Sequence, residues 1–228
     1  MSETTTDDTT TTTKGVGARA ILAQYLTPGY EVHFKVLENR LAACGQLACV
    51  RAGLAAADAV REHWAWEASR PVLDAALDAT RAWLATPGPA TARRAHQTSS
   101  RLLPLCRAVH RRTDEAEARG AQGDVPPWED MRSCDVGTAA FGAARAAHAR
   151  TARTAAAHAT AAVAAAMSLL EIEHGTGLDD DLCPCCDGAE LDELELAGRG
   201  RVLRTGDAQE DPAQAVLALA IRAALSAP

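Results

Sequence analysis

Read for periodicity, the chain is a succession of three- and four-residue hydrophobic steps with almost no two-residue alternation. Such steps put apolar side chains on one face of a helix. Val32, Val36, Leu37, Leu41, Cys44, Leu47 and Ala48 recur this way in a segment from about Glu31 to Ser69. Gly45 and Gly53 weaken it, and a break is expected near Gly53. Arg70-Pro71 ends that segment, because proline suits a helix first turn and not an interior. "PVLDAALDATRAWLA" then carries Leu73, Leu77, Thr80, Ala82 and Trp83 on or near one stripe. "TPGPAT" reads as a loop, and the next helical segment contains Pro104, which kinks it or divides it in two. The longest segment runs from about Trp128 to Glu173, with Phe141, His148, Ala155 and Ala162 seven apart in a seam of small residues. A last helix starts at Pro212. The spacing predicts an all-α protein, an irregular bundle of about six helices.

Three regions follow. Residues 1–16 are Thr/Asp-rich and bury too little to offset their ordering entropy, so they read as a disordered tail. Residues 17–174 form the bundle. Residues 175–228 form an acidic, cysteine-containing arm and a C-terminal helix that packs on the bundle.

Composition sharpens the picture in one respect. Aromatics make up only 4% of the 228 residues, so the core must be Ala, Leu and Val at close helix contacts. Charge changes it more. The formal net charge is −7, and ten acids lie between Glu171 and Glu195 with no Lys or Arg among them. Without those ten, the rest of the chain is formally +3. A net acidic chain argues against nonspecific nucleic-acid binding, which needs a basic face for phosphates. No uninterrupted apolar run is long enough to span a membrane, and the N-terminus lacks the basic and apolar regions of a signal peptide. A cytoplasmic protein with reduced thiols is expected.

Within the acidic stretch, "DDDLCPCCDG" holds Cys183, Cys185 and Cys186. A Cys-Pro-x-Cys turn aims two sulfurs at one point, and thiolates favour zinc or copper(I). His174, nine residues upstream of Cys183, offers a fourth ligand. Two other readings stay open: a redox Cys-x-x-Cys, which the surrounding acids oppose by raising thiol pKa values, and an acidic loop that merely packs sulfur. Glu171-x-x-His174 has the spacing used in di-iron bundles, but those need two such motifs and two further glutamates. Trp64, Trp66 and Trp83 flank the Arg70-Pro71 corner and are expected to plug the end of the bundle. His148 and His158 are expected to be hydrogen-bonded between helices. There is no Walker loop, no Gly-x-Ser-x-Gly and no Gly-x-Gly-x-x-Gly.

Two stretches, "SRPVLDAALDATRAWL" with its Arg81-Ala82-Trp83 ending and "AAFGAARAAHARTARTAAAHATAAVAAA", resemble a family of small all-helical bacterial immunity proteins. The resemblance covers roughly Leu41 to Leu170. It implies a non-enzymatic helical protein that binds and neutralises a partner toxin, and it lends no site residues.

Overall fold

Where the hydrophobic steps are regular, the chain is helical. A computed structural model describes residues 17–26, 30–119, 128–173, 202–205 and 212–226. Among them are helices α1 (17–24), α2 (Phe34–Cys44), α3 (Gln46–Ala59), α4 (Arg70–Ala85), α5 (Pro89–Ser99), α6 (Leu103–Ala118), α7 (Trp128–His148), α8 (Ala152–Glu173) and α9 (Pro212–Leu225). The class is all-α, as the periodicity predicts, with nine helices among the described residues instead of about six. One small addition is a two-stranded antiparallel ribbon, β1 (Tyr30–His33) with β2 (Val202–Thr205), in which Tyr30 pairs Thr205 and His33 pairs Val202. The tail 1–16 lies outside the described residues, as do His174, Cys183, Cys185 and Cys186.

The extra helices come from breaks that periodicity does not register. Between α2 and α3 the chain turns at Gly45, whose φ of 90° is a left-handed conformation that glycine adopts without steric cost. Gly53, the expected break, instead sits inside α3, where its missing side chain lets α7 and α8 come close: a Cβ there would lie 3.1 Å from the Ala143 Cα and 3.5 Å from the Ala159 Cα. Val36, counted on the apolar stripe, is exposed, and Val32 belongs to β1. In "TPGPAT" only the first half is loop, since Pro89 opens α5. The helix that follows is divided between Ser99 and Leu103, and Pro104 takes the second position of α6, where a missing N–H costs nothing.

The largest correction concerns the longest segment. It is two helices, α7 and α8, joined by Ala149–Thr151 and folded back on each other. The Thr151 side chain accepts a hydrogen bond from the Thr154 backbone N–H at 3.1 Å, a cap that starts α8. The carbonyls left over at the end of α7 are met from another element: Gln46 Nε2 of α3 donates toward Ala146, Ala147 and Ala149 oxygens at 3.0, 3.2 and 2.9 Å. The seven-residue row of Phe141, His148, Ala155 and Ala162 is therefore no single seam. Its members belong to two facing helices.

α3 lies at the centre and packs against α2, α4, α7, α8 and α9. The core is mostly alanine, with Trp64, Leu22, Leu37, Leu41, Leu73, Leu77, Leu102, Leu169, Leu217 and Ile221 as its largest fully enclosed apolar side chains. On α4 the buried stripe is Leu73, Ala76, Leu77, Ala79, Thr80 and Trp83, while Ala82 is exposed. α9 packs over α3 and α8 through Val216, Leu217, Ala220, Ile221 and Ala224.

Candidate functional site

The predicted metal ligands Cys183, Cys185, Cys186 and His174 fall outside the described residues. Among the described residues, no group of three or more His, Cys, Asp or Glu side chains is arranged to hold a metal ion. Cys44, Cys49, Cys106 and Cys134 are in no disulfide. Burial, with Cys44 nearby, pushes the Cys49 thiol up to about 12, so it is an inert core group. Glu38, one of the carboxylates that a di-iron site would recruit, is buried and engaged by Lys35 at 3.0 Å.

Trp64 and Trp66 pack into one corner of the bundle, while Trp83, expected beside them, sits near the opposite end of α4, about 20 Å along the helix axis from Arg70. Trp64 and Trp83 are buried, and Trp64 meets Trp66 edge-to-face with ring centroids 4.9 Å apart. Trp64 Nε1 donates to the Trp66 carbonyl at 2.9 Å, and Trp66 Nε1 donates to Asp130 Oδ1 at 2.5 Å. Asp130 also accepts from Arg112 at 2.8 Å, which ties α6 to the same corner.

Beside this corner is an open cleft of about 430 Å³ lined by Asp58, Ala59, Arg61, Glu62 and Arg70. Its charges are mostly spent on one another. Arg61 donates twice to Asp74 Oδ1, at 2.9 and 2.7 Å. Arg81 joins Asp58 to Asp78, and Arg70 donates to the Trp64 carbonyl at 2.7 Å. Burial raises the Asp58 pKa, with Arg81 and Arg61 opposing it. The cleft is an interlocked charged corner that braces α3 against α4.

A different arrangement exists where α5 flanks the α7–α8 pair. His96 and His148 stack with centroids 4.7 Å apart and planes 15° from parallel. Parallel rings do not converge their nitrogens on a common point, so this pair is no chelate. His158 is 2% exposed, and its Nδ1 has no hydrogen-bond partner among the described residues. The expectation that His158 is a hydrogen-bonded interhelical residue is corrected at this atom. His148 is exposed and stacked instead of buried in a seam. His96 Nδ1 is also enclosed without a partner. Arg145 lies over the Phe141 ring, its Cζ 5.8 Å from the centroid. Burial, then Arg145 and His96, press the His158 pKa down to about 3, so this imidazole is neutral at ordinary pH. Burial first, then His148 and Arg145, lower the His96 pKa.

Two further features carry charge. Asp135 on α7 is half-buried, and the loss of surrounding water raises its carboxyl to about 7. Along α5 and α6, Arg93, Arg94, Arg101, Arg107 and Arg111 are exposed and have no ion-pair partner among the described residues. From Ala79 to Thr113 there are seven arginines and no acid. This basic stretch is readable in the sequence, but the net charge of −7 hides it.

No helix among the described residues is long and apolar enough to cross a membrane. No protein-family model, curated protein or solved structure matches the chain.

Proposed function

We propose that the protein is a non-enzymatic helical binding protein that recognises a protein partner by charge, and that it serves as an immunity protein neutralising a basic toxin in the cytosol. The observation that supports this is charge segregation. Seven arginines and no acid occupy 79–113, while ten acids and no Lys or Arg occupy 171–195. Segments of opposite charge steer association and reject wrong partners through potential, ahead of any detailed contact. The toxin-directed form of the reading rests on the acidic stretch and on the resemblance to helical immunity proteins.

The test is co-purification with the product of any adjacent toxin-like gene, using two charge-reversed variants. The triple variant Asp179→Lys, Asp180→Lys, Asp181→Lys is expected to weaken the complex at least tenfold. The triple variant Arg93→Glu, Arg94→Glu, Arg101→Glu is expected to leave it intact. Unchanged binding by the first variant overturns the toxin reading, and loss by the second moves recognition to the basic stretch. The Cys-Pro-Cys-Cys spacing favours a second reading, a zinc- or copper-binding protein in which Cys183, Cys185, Cys186 and His174 are the ligands.

A further inference from the structure

We infer that His96, Arg145 and His158 form a binding site for a small oxyanion, where α5 meets the α7–α8 pair. This is independent of partner recognition by the charged segments.

The first ground is a pair of unsatisfied imidazole nitrogens. His158 is almost fully enclosed by the core, yet its Nδ1 bonds to nothing among the described residues. His96 Nδ1 is in the same condition. Buried polar atoms are nearly always paired, because an orphan forfeits its hydration without return. Each of the two orphaned imidazole nitrogens can be satisfied by a ligand oxygen when the ring carries its proton there. A neutral imidazole carries one N–H, and an oxyanion seated beside Nδ1 selects the tautomer that places the proton there.

The second ground is Arg145. It makes no ion pair or hydrogen bond among the described residues, and its side chain rests on the Phe141 ring. Its N–H groups bond to no described residue, and the planar guanidinium fork matches carboxylate and phosphate oxygens. His96 stacks on His148, one turn along α7 from Arg145, and the His158 carbonyl abuts α7 at Gly142, one turn the other way, so all three groups border the same stretch of α7.

The third ground is an absence of competing acid in the sequence of these elements. No Asp or Glu occurs in 79–113 or in 136–170, which hold α5 and the whole run from Val136 of α7 to Leu170 of α8. The nearest acid on α7 itself is Asp135, about 15 Å along the helix axis from Arg145. Among the described residues Arg145 therefore has no carboxylate to offset its charge beside the neutral His158, and a bound anion would supply the counter-charge.

Inorganic phosphate and acetate serve as probes on the full chain, each titrated by thermal unfolding at constant ionic strength against sodium chloride. At ten times its Kd, a bound probe is expected to raise Tm by about 3–5 °C. Arg145→Gln is expected to abolish the rise, and Arg150→Gln, one turn and a corner away, to keep it. A rise with phosphate alone identifies a phosphoryl ligand and a rise with acetate alone a carboxylate; either supports the site. Equal shifts in wild type and Arg145→Gln, or no shift beyond the chloride control with both probes, overturn it. Should Arg145→Gln fold poorly, Arg145→Lys, which keeps charge but loses the fork, must weaken binding at least fivefold.

Discussion

Replacing Gly142 with alanine tests the packing on which the whole bundle depends. In most helix interiors this exchange is favourable, since alanine is better than glycine there by about 1 kcal/mol. Here the added Cβ would meet the His158 carbonyl oxygen at 2.8 Å, the Ala162 Cβ at 3.1 Å and the Ala162 nitrogen at 3.2 Å. The first and third of these are backbone atoms of α8, so no side chain can rotate out of the way. Relief requires α7 and α8 to separate by several tenths of an ångström along their main contact. Overpacking of this sort costs about 1–3 kcal/mol, and a backbone obstacle belongs in the upper half of that range. Less the propensity gain, the net destabilisation is about 1–2 kcal/mol, or a fall in Tm of about 2–8 °C for a chain of this size. Gly17→Ala, at a helical site where an added Cβ meets nothing within 4 Å, is the control and should be neutral or mildly stabilising. Urea denaturation and thermal scans of the two variants beside wild type read the difference. A Gly142→Ala protein as stable as Gly17→Ala would refute the close approach of α7 to α8.

Acidification provides a second check: His158 has its pKa lowered to about 3 from 6.5, so only the unfolded chain takes up its proton between those values. Stability is therefore lost as pH falls below 6.5, by about 1.4 kcal/mol per unit from this group, and His158→Gln should flatten that part of the profile. Asp135 has the opposite sign. Its pKa is raised from 3.8 to about 7, so the folded state holds the proton longer and stability declines as pH rises through that window. Asp135→Asn should raise Tm at pH 8, with the gap closing toward pH 4. Asp130→Ala removes the acceptor shared by Trp66 and Arg112 and is expected to cost about 1.5–3 kcal/mol, read by urea midpoint. Protein purified without chelator should carry about one zinc or copper per chain by elemental analysis if the cysteine arm binds metal, and Cys183→Ser with Cys186→Ser should remove it.

The helices were legible because each keeps its apolar steps over two or more turns. The breaks were not, and the reason differs at each. Gly45 and Gly53 look alike in the sequence, yet one takes a left-handed φ at a corner and the other lets two helices approach mid-span. Only the neighbours decide which role a glycine takes. The α7–α8 corner was hidden because alanine runs through it on both sides and no glycine or proline marks it. Thr151 was the available signal, a capping residue three positions before Thr154 in an otherwise Ala-rich run. The other part of that corner, Gln46 reaching the last carbonyls of α7, comes from about a hundred residues away and leaves no local trace.

The same limit governs the candidate sites. A cysteine cluster announces itself by spacing alone, which is why the arm drew attention first. The histidines of the bundle do not, because His96, His148 and His158 lie on three helices and are too far apart in sequence to suggest each other. What could have been read is the shortage of acid: two stretches of 35 residues each, 79–113 and 136–170, with ten arginines between them and no carboxylate. Helices that carry only one sign of charge cannot neutralise themselves with i,i+4 pairs, so they must find their counter-charge elsewhere. For the exposed arginines water and salt suffice. For Arg145, half-buried on the stretch of α7 that abuts the core residue His158, solvent screening is weaker. That difference in surroundings, and not the number of charges, singles out this end of the bundle as the place where a ligand would matter.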